Sequence, residues 1–353
     1  MFDLISAQRV AETDLRLPPM GQGCGTLGDP DEIISEEQAQ QTLQAAWDGG
    51  LRYFDTAPWY GNTKSEHRVG HLLRQQPRDD FVITTKVGRV YSRPEEPENF
   101  DQSPWMKRWR GGLPFDLRFD YTADGILRSY EDSLMRLGLN RVDALAIHDL
   151  DLKHQKTEAK VLNALDDLSE GGGYRVLSDL KSSGEIKAIG VGINHIGMIK
   201  LFLERFEIDY FLVAMPYTLL DQPALDGDFA LCAERKASVV IGAVFASGIL
   251  ATGATENASY AYQKADPDVL EKVRDIERVC AAFEVPLRAA AMQFPLAHPL
   301  VTSVIPGANS PGQVKQNIDA LNHPIPDAFW LMLRAKGLIR EEVPLAIRRD
   351  ANA

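Results

Sequence analysis

Gly21-Gln22-Gly23-Cys24-Gly25-Thr26 decides between two folds that share a parallel sheet. The stretch ends an apolar strand expected near Met20–Gly23. A doubly wound open sheet would carry GxGxxG here, with an acid about 20 residues on at the end of a second strand. The spacing is only GxGxG, and Glu36 and Glu37 fall at the start of a helix pattern. Working outward, short apolar runs rich in β-branched residues are expected as strands at Tyr53–Asp55, Phe81–Lys86, Asp143–Ile147, Ala188–Gly192, Tyr210–Met215, Val239–Ala243 and Val301–Ile305. Between them, helical spacing runs over Glu36–Trp47, Ser65–Leu73, Thr122–Leu137, Tyr174–Ser182, Ile196–Arg205 and Pro311–Leu321. Near-continuous apolar strands separated by helices imply a parallel sheet covered on both faces. Eight such units predict an α/β fold, a (β/α)8 TIM barrel. No linker divides the chain, so one domain is expected over residues 1–353, with its core in about 15–340 and extra C-terminal helices.

The 353 residues carry 38 Lys+Arg against 50 Asp+Glu, a net charge of −12. At 44% hydrophobic and 25% charged, this is the composition of a folded globular chain, not a disordered one. The acidic balance argues against nucleic-acid and anionic-membrane partners, which need basic patches. Cys24, Cys232 and Cys280 are an odd, scattered set with neither a disulfide framework nor metal-ligand spacing, so no metal is expected and a reducing cytoplasm is the expected compartment. The N-terminus MFDLISAQRVAETDLRLPP has early acids and no apolar signal core. Ala237–Thr255 is uncharged and nearly long enough to span a membrane, but its Gly, Ala, Ser and Thr content reads as a buried strand entering a Gly-rich loop. Gly171–Gly173 reads as a turn. Val87–Tyr121, after the third strand, reads as a long irregular loop rich in Pro, Gly and aromatics, of the kind that covers or binds ligands.

In a barrel, the C-terminal strand ends face the active site. Asp55 closes Tyr53-Phe54-Asp55, and Tyr60 follows five residues later. Lys86 closes Val82-Ile83-Thr84-Thr85-Lys86, and His148 closes Leu145-Ala146-Ile147-His148. Singly, each has a bland reading as a loop cap, a solvated strand end or a core histidine. Together they form a proton-transfer set. A tyrosine hydroxyl titrates near 10, too high for acid–base work at neutral pH, and a neighbouring ammonium lowers it. Lys86 is expected to supply that charge, Asp55 to hold the lysine, and His148 to orient a substrate oxygen toward Tyr60. GxSxG, HExxH and CxxC are all missing from the sequence.

FDTAPWYG, TTKVG and AIHD, in that order, resemble the aldo-keto reductase superfamily over roughly residues 15–340. The resemblance implies a barrel that binds a nicotinamide dinucleotide without a Rossmann fold. It also implies hydride transfer between carbonyl and alcohol, with Asp55, Tyr60, Lys86 and His148 as the catalytic tetrad. After the last strand, Ser310 suits a helix N-cap and Pro311 the first helical position, and such a helix start is a ready anion site. The resemblance makes this the adenosine-phosphate loop. Gly307, Asn309 and Gln313 stand where NADPH-preferring members place basic residues, and no basic residue lies between Val301 and Val314. NAD is therefore expected in preference to NADP. Gln316 and Asn317 match adenine contacts, and Gly23, Cys24 and Asp55 lie near the nicotinamide ribose. Phe245 and Ser247 match the loop over the pyrophosphate. Asn194 takes the carboxamide role usually shared by a Ser-Asn pair. Gly242 stands where many members carry the aromatic that stacks on nicotinamide, leaving Tyr217 or Phe245 as substitutes.

YTLLDQPAL, FASGILATG and PLRAAAMQFPLAHPLVTSVIPGA resemble the branch of D-threo-aldose 1-dehydrogenases (L-fucose or galactose dehydrogenases) and pyridoxal 4-dehydrogenases. That likeness implies NAD-dependent oxidation of a sugar's C1 hemiacetal (L-fucose, D-arabinose or L-galactose) to its lactone, with Tyr60 as base. Pyridoxal, also an internal hemiacetal, is the alternative substrate. Two further readings are an NADPH-dependent aldehyde or ketone reductase and a non-catalytic barrel. Substrate contacts are expected from Trp59, Tyr91, Trp105, Trp109 and His148, with Asp149 either supporting His148 or starting a helix. The expected partner is a small sugar or hemiacetal, and the expected state a monomer or weak homo-oligomer.

Overall fold

The computed structural model describes residues 4, 6–95, 97, 109–261 and 263–346. Eight strands form one sheet: β1 (Gln22–Gly23), β2 (Tyr53–Asp55), β3 (Val82–Val87), β4 (Ala144–His148), β5 (Ala188–Ile193), β6 (Tyr210–Ala214), β7 (Ser238–Gly242) and β8 (Val301–Val304). Each pairs in parallel with its neighbours in chain order. Met20 and Gly23 bridge in parallel to Val304 and Gly307, so β8 returns to β1. Gly23 N donates to Pro306 O at 3.0 Å and Val304 N to Pro19 O at 2.9 Å across that seam. The fold is that of a TIM barrel, and the eight strands lie within two residues of their expected bounds.

Alternation along each strand sorts the core into two layers. Phe54, Ile83, Leu145 and Ile147 point outward and pack with the helices. Tyr53, Ala144, Ala146, Ala188, Tyr210, Leu212, Val240 and Ile305 fill the barrel. The two tyrosine rings need space. A Cβ on Gly21 would lie 2.4 Å from the Tyr53 ring, and one on Gly190 would lie 2.3 Å from the Tyr210 ring. A hairpin that the sequence did not announce pairs Gln8–Arg9 with Arg16–Leu17. Its Val10, Leu15 and Leu17 join the interior cluster, and Ala11 N donates to Ser238 Oγ at 2.8 Å, at the start of β7. The hairpin therefore closes the N-terminal end and leaves the strand C-termini as the open face.

The stretch after β3, expected to be an irregular loop over Val87–Tyr121, is regular in part. Arg89–Ser92 pairs antiparallel with Asp116–Phe119, making a hairpin stalk. The charges at Arg89, Asp116 and Arg118 hid this pairing, because a half-buried ribbon alternates without an apolar run. Trp105 lies outside the described residues. Ala237–Thr255 is β7, a turn at Ala246–Gly248 and a short helix Ile249–Thr252. Among the described residues no helix is long and apolar enough to cross a membrane. Beyond the helix Pro311–Asn322, the helix Asp327–Ala335 buries Phe329, Trp330 and Leu333.

Candidate active site

The strand register assembles the site. Asp55 at the end of β2 stands opposite Thr84 of β3, and Lys86 is the next inward residue. Thr84 Oγ1 donates to Asp55 Oδ2 at 2.7 Å, and Lys86 Nζ donates to Asp55 Oδ1 at 2.6 Å and to Thr56 O at 2.8 Å. His148 ends β4 opposite Gly192 of β5. A Cβ on Gly192 would come 3.4 Å from His148 Cδ2 and 3.8 Å from Lys86 Cε. Tyr60 comes from the loop after β2, held where Tyr60 N donates to Ala57 O and Ser65 N donates to Tyr60 O, both at 3.1 Å. That loop turns at Gly61, whose φ of +66° favours glycine. A Cβ there would also lie 2.7 Å from Gly28 Cα. The Tyr60 ring centroid lies 4.8 Å from Lys86 Nζ and 5.9 Å from the His148 ring, which it meets edge-on. The four residues thus converge on one spot at the open end of the barrel.

The electrostatics differ from the expected picture in one respect. Burial pushes the Tyr60 hydroxyl up to about 12, against the pull of Lys86 downward, while Asp55 adds to the rise. Lys86 therefore limits the rise rather than bringing Tyr60 below its ordinary value. Burial disfavours the Lys86 ammonium, but Asp55 and Tyr60 more than offset it and the net shift is upward. Burial also holds His148 well below its usual range despite Asp149, so the ring is neutral.

Behind His148 lies a hub the sequence showed only in part. Asp149 adopts φ +51°. Its Oδ2 accepts from Arg89 Nη2 at 2.8 Å and lies 3.4 Å from Nε2 of both His148 and His154, and its Oδ1 accepts from Asn194 Nδ2 at 3.1 Å. Burial opposes its ionisation, but His148, His154 and Arg89 bring it down to about 2. Asn194, expected at a carboxamide, is engaged with this carboxylate. Asp149, Asp151 and His154 also place ligand-type atoms within 4.8 Å of one another, although Arg89 already holds Asp149. Tyr121 Oη donates to His148 O at 2.8 Å, anchoring the end of β4.

Trp109 packs edge-on against Trp59 at 5.5 Å and 5.9 Å from Tyr60, and the Arg89 guanidinium lies 4.8 Å over Trp59. Trp59 and Trp109 therefore flank Tyr60. Tyr91 does not join them, because it lines a different cavity with Thr63 and His67. Tyr217 is fully buried among Phe229, Phe294 and His298, leaving no open ring face for stacking. Its expected place at the nicotinamide gives way to core packing.

At the other end of the mouth, Ser310 Oγ accepts from Gln313 N at 3.3 Å, capping the helix Pro311–Asn322. Asn309 N donates to Gln313 Oε1 at 2.9 Å, and Asn309 Nδ2 donates to Glu32 Oε1 at 2.8 Å. Asn317 accepts from Arg288 Nη1 at 3.0 Å and donates to Gly307 O at 3.3 Å. Arg288 lies 4.8 Å over the Phe245 ring and has no ion pair among the described residues. Ser247 lies close by in chain, with φ +62° and its Oγ donating to Met215 Sδ at 3.9 Å. Gly23 and Cys24 are buried where β1 meets β2 and β8, with Cys24 N donating to Asp55 O at 2.9 Å. Gln316 sits on the exposed side of its helix. A half-buried guanidinium without a carboxylate partner, beside a capped helix start, suits the phosphates of a dinucleotide. Arg288 and Glu32 carried little signal in the sequence, since each comes from a segment distant in chain from the residue it meets.

This barrel and mouth define a class. Residues 19–337 match the Aldo/keto reductase family, and the chain belongs to it. The protein is therefore an oxidoreductase, and enzymes of this family use nicotinamide cofactors. It is 38% identical over 339 residues to pyridoxal 4-dehydrogenase of Microbacterium luteolum, covering 94% of this chain and 97% of that protein. It is 35% identical over 334 residues to D-threo-aldose 1-dehydrogenase of Pseudomonas sp, covering 93% and 97%. In fold it is similar to the holo form of aldo-keto reductase AKR11C1 from Bacillus halodurans, with a TM-score of 0.71 at 23% identity over 96% of this chain and 97% of that one.

Proposed function

We propose that the protein oxidises the C1 hemiacetal of an aldose to its lactone with NAD, Tyr60 acting as general base. The observation that carries this reading is the buried Asp55–Lys86 pair set against Tyr60 and His148 at the open end of the barrel. Tyr60 takes the proton of the anomeric hydroxyl. Lys86 stabilises the phenolate this requires, and Asp55, fixed by Thr84, keeps the ammonium in place. Neutral His148 holds the reacting oxygen by a hydrogen bond rather than by charge. Bound NAD would supply the hydride acceptor. Trp59 and Trp109 offer flat apolar faces that suit the apolar side of a sugar ring and exclude water.

Arg288, the helix start at Pro311 and Asn317 would hold the phosphates and adenine of the dinucleotide. Preference for NAD over NADP rests on Glu32, whose carboxylate is bonded to Asn309 and would repel a 2′-phosphate. Arg288 is the cation that pulls the other way, and comparing KM for the two cofactors weighs them. A second reading, pyridoxal oxidation to its lactone, is favoured by the relative at 38% identity. Rates of NAD reduction with L-fucose, D-arabinose, L-galactose, D-galactose and pyridoxal separate the two. Turnover with none of these, alongside turnover of simple aldehydes with NADPH, would overturn both.

A further inference from the structure

Outside the barrel mouth, a cavity of about 350 Å³ opens where the hairpin stalk meets the helices Lys64–Leu73 and Ala123–Leu137. Its walls include Thr63, His67, Tyr91, Arg93, Arg128 and Arg136, and none of the tetrad. Two hydroxyls on these walls, Tyr91 Oη and Thr63 Oγ1, are buried with no hydrogen-bond partner among the described residues. Thr63 is 2% and Tyr91 7% exposed, so water does not freely serve them. Buried polar groups are nearly always paired, and two orphans on one cavity point to a ligand that pairs them. Thr63 is also the N-cap residue of the helix Lys64–Leu73, yet its hydroxyl makes no cap bond. The positive end of that helix dipole adds to the field.

The charge around the cavity selects the ligand's sign. In a chain of net charge −12, three guanidinium groups gather here. Arg136 gives Nε to Glu66 at 2.6 Å and Nη2 to Ser133 Oγ at 3.0 Å, and its Nη1 has no partner among the described residues. Arg128 meets Asp132, itself on the wall, only at 3.5 Å and in solvent. An exposed pair at that distance is weak and easily exchanged. Burial and Arg136 hold His67 below its usual range, so it adds a neutral donor or acceptor.

We propose that this cavity binds a small oxyanion, a carboxylate or a phosphate, clasped by Arg93 and Arg128 with Tyr91 and Thr63 donating to its oxygens. Forked guanidinium donors match the paired oxygens of either group. The site is separate from the barrel mouth, although Thr63 follows Tyr60 by three residues and Tyr91 follows Arg89 by two.

The test is calorimetric titration of the full chain at low ionic strength, with saturating NAD present so that the dinucleotide's own phosphate contacts are filled. Inorganic phosphate is one arm and an aldonate, the carboxylate formed when a sugar lactone hydrolyses, is the other. The expected result is saturable binding of at least one anion at one site per chain, and the preferred arm names its source. Arg93→Gln with Arg128→Gln should weaken it about tenfold or more, as loss of charge-assisted bonds implies, with melting temperature and turnover unchanged. Thr63→Val should weaken it without changing net charge. Absence of saturable binding in both arms, or binding that the arginine double variant leaves intact, would overturn the proposal.

Discussion

Lys86→Met isolates the term on which the proposed chemistry depends. The ammonium lies 4.8 Å from the Tyr60 ring centroid, and unit charges at that distance attract by about 3.5 kcal/mol at an effective dielectric constant of about 20. That corresponds to about 2.5 pKa units. Tyr60 is already pushed up to about 12 by burial, so the variant carries its hydroxyl higher still. At fixed pH the oxidation rate should fall about 100- to 300-fold, with the loss in kcat and little change in KM. The substitution also strands the Asp55 carboxylate, 1% exposed and left with Thr84. An unpaired buried charge costs about 3–5 kcal/mol, so folding must be checked by a thermal melt. The double variant Lys86→Met with Asp55→Asn removes both charges and should recover stability. Because Asp55 opposes what Lys86 does to Tyr60, its rate should lie between wild type and the single variant. The assay is initial-rate absorbance of reduced nicotinamide with the best substrate of the panel. A folded Lys86→Met protein with kcat within a few-fold of wild type, or a loss confined to KM, would refute the reasoning.

Because burial holds the Tyr60 hydroxyl at about 12, phenolate is scarce at neutral pH. Oxidation should climb about tenfold per pH unit through the alkaline range without a plateau below that value, and a flat profile would count against Tyr60 as the base. His148 is kept neutral, so the acid side should lack a histidine inflection near 6.5, and finding one that His148→Gln abolishes would contradict the burial argument. Asp149→Asn leaves Arg89 buried without its carboxylate, and denaturant melts should show a loss of about 3–5 kcal/mol, with kcat falling more than KM rises as His148 loses its neighbour. Glu32→Lys should lower KM for NADP about tenfold while leaving KM for NAD within a few-fold, since it exchanges repulsion for attraction at a 2′-phosphate; unchanged cofactor ratios would place that phosphate elsewhere. Gly61→Ala adds a Cβ 2.7 Å from Gly28 Cα at positive φ, and should cost at least about 1 kcal/mol in a melt and displace Tyr60, read as lost turnover.

Much of the barrel was legible because its rule is local. Tyr53-Phe54-Asp55, Ile83 through Lys86 and Leu145 through His148 alternate between barrel and helix faces, and each ends in a polar residue at the open end. The hairpin stalk was not legible, because Arg89 and Arg118 interrupt any apolar pattern and pair across a long insertion. Tyr217 and Tyr91 misled for a related reason. An aromatic near a strand end can face the mouth, the core or an outer cavity, and its type does not choose.

What the amino-acid order determined by itself was the eight barrel strands, six of the helices around them and the arrival of Asp55, Lys86 and His148 at strand ends. These follow from the two-residue period of a strand and the one-way winding of a parallel barrel. Only the tertiary structure decided the sign of the net shift at Tyr60, because burial is a property of everything packed around a group. It alone brought Arg89 to Asp149, Arg288 to Asn317 and Glu32 to Asn309, since distant segments meet only when the sheet closes.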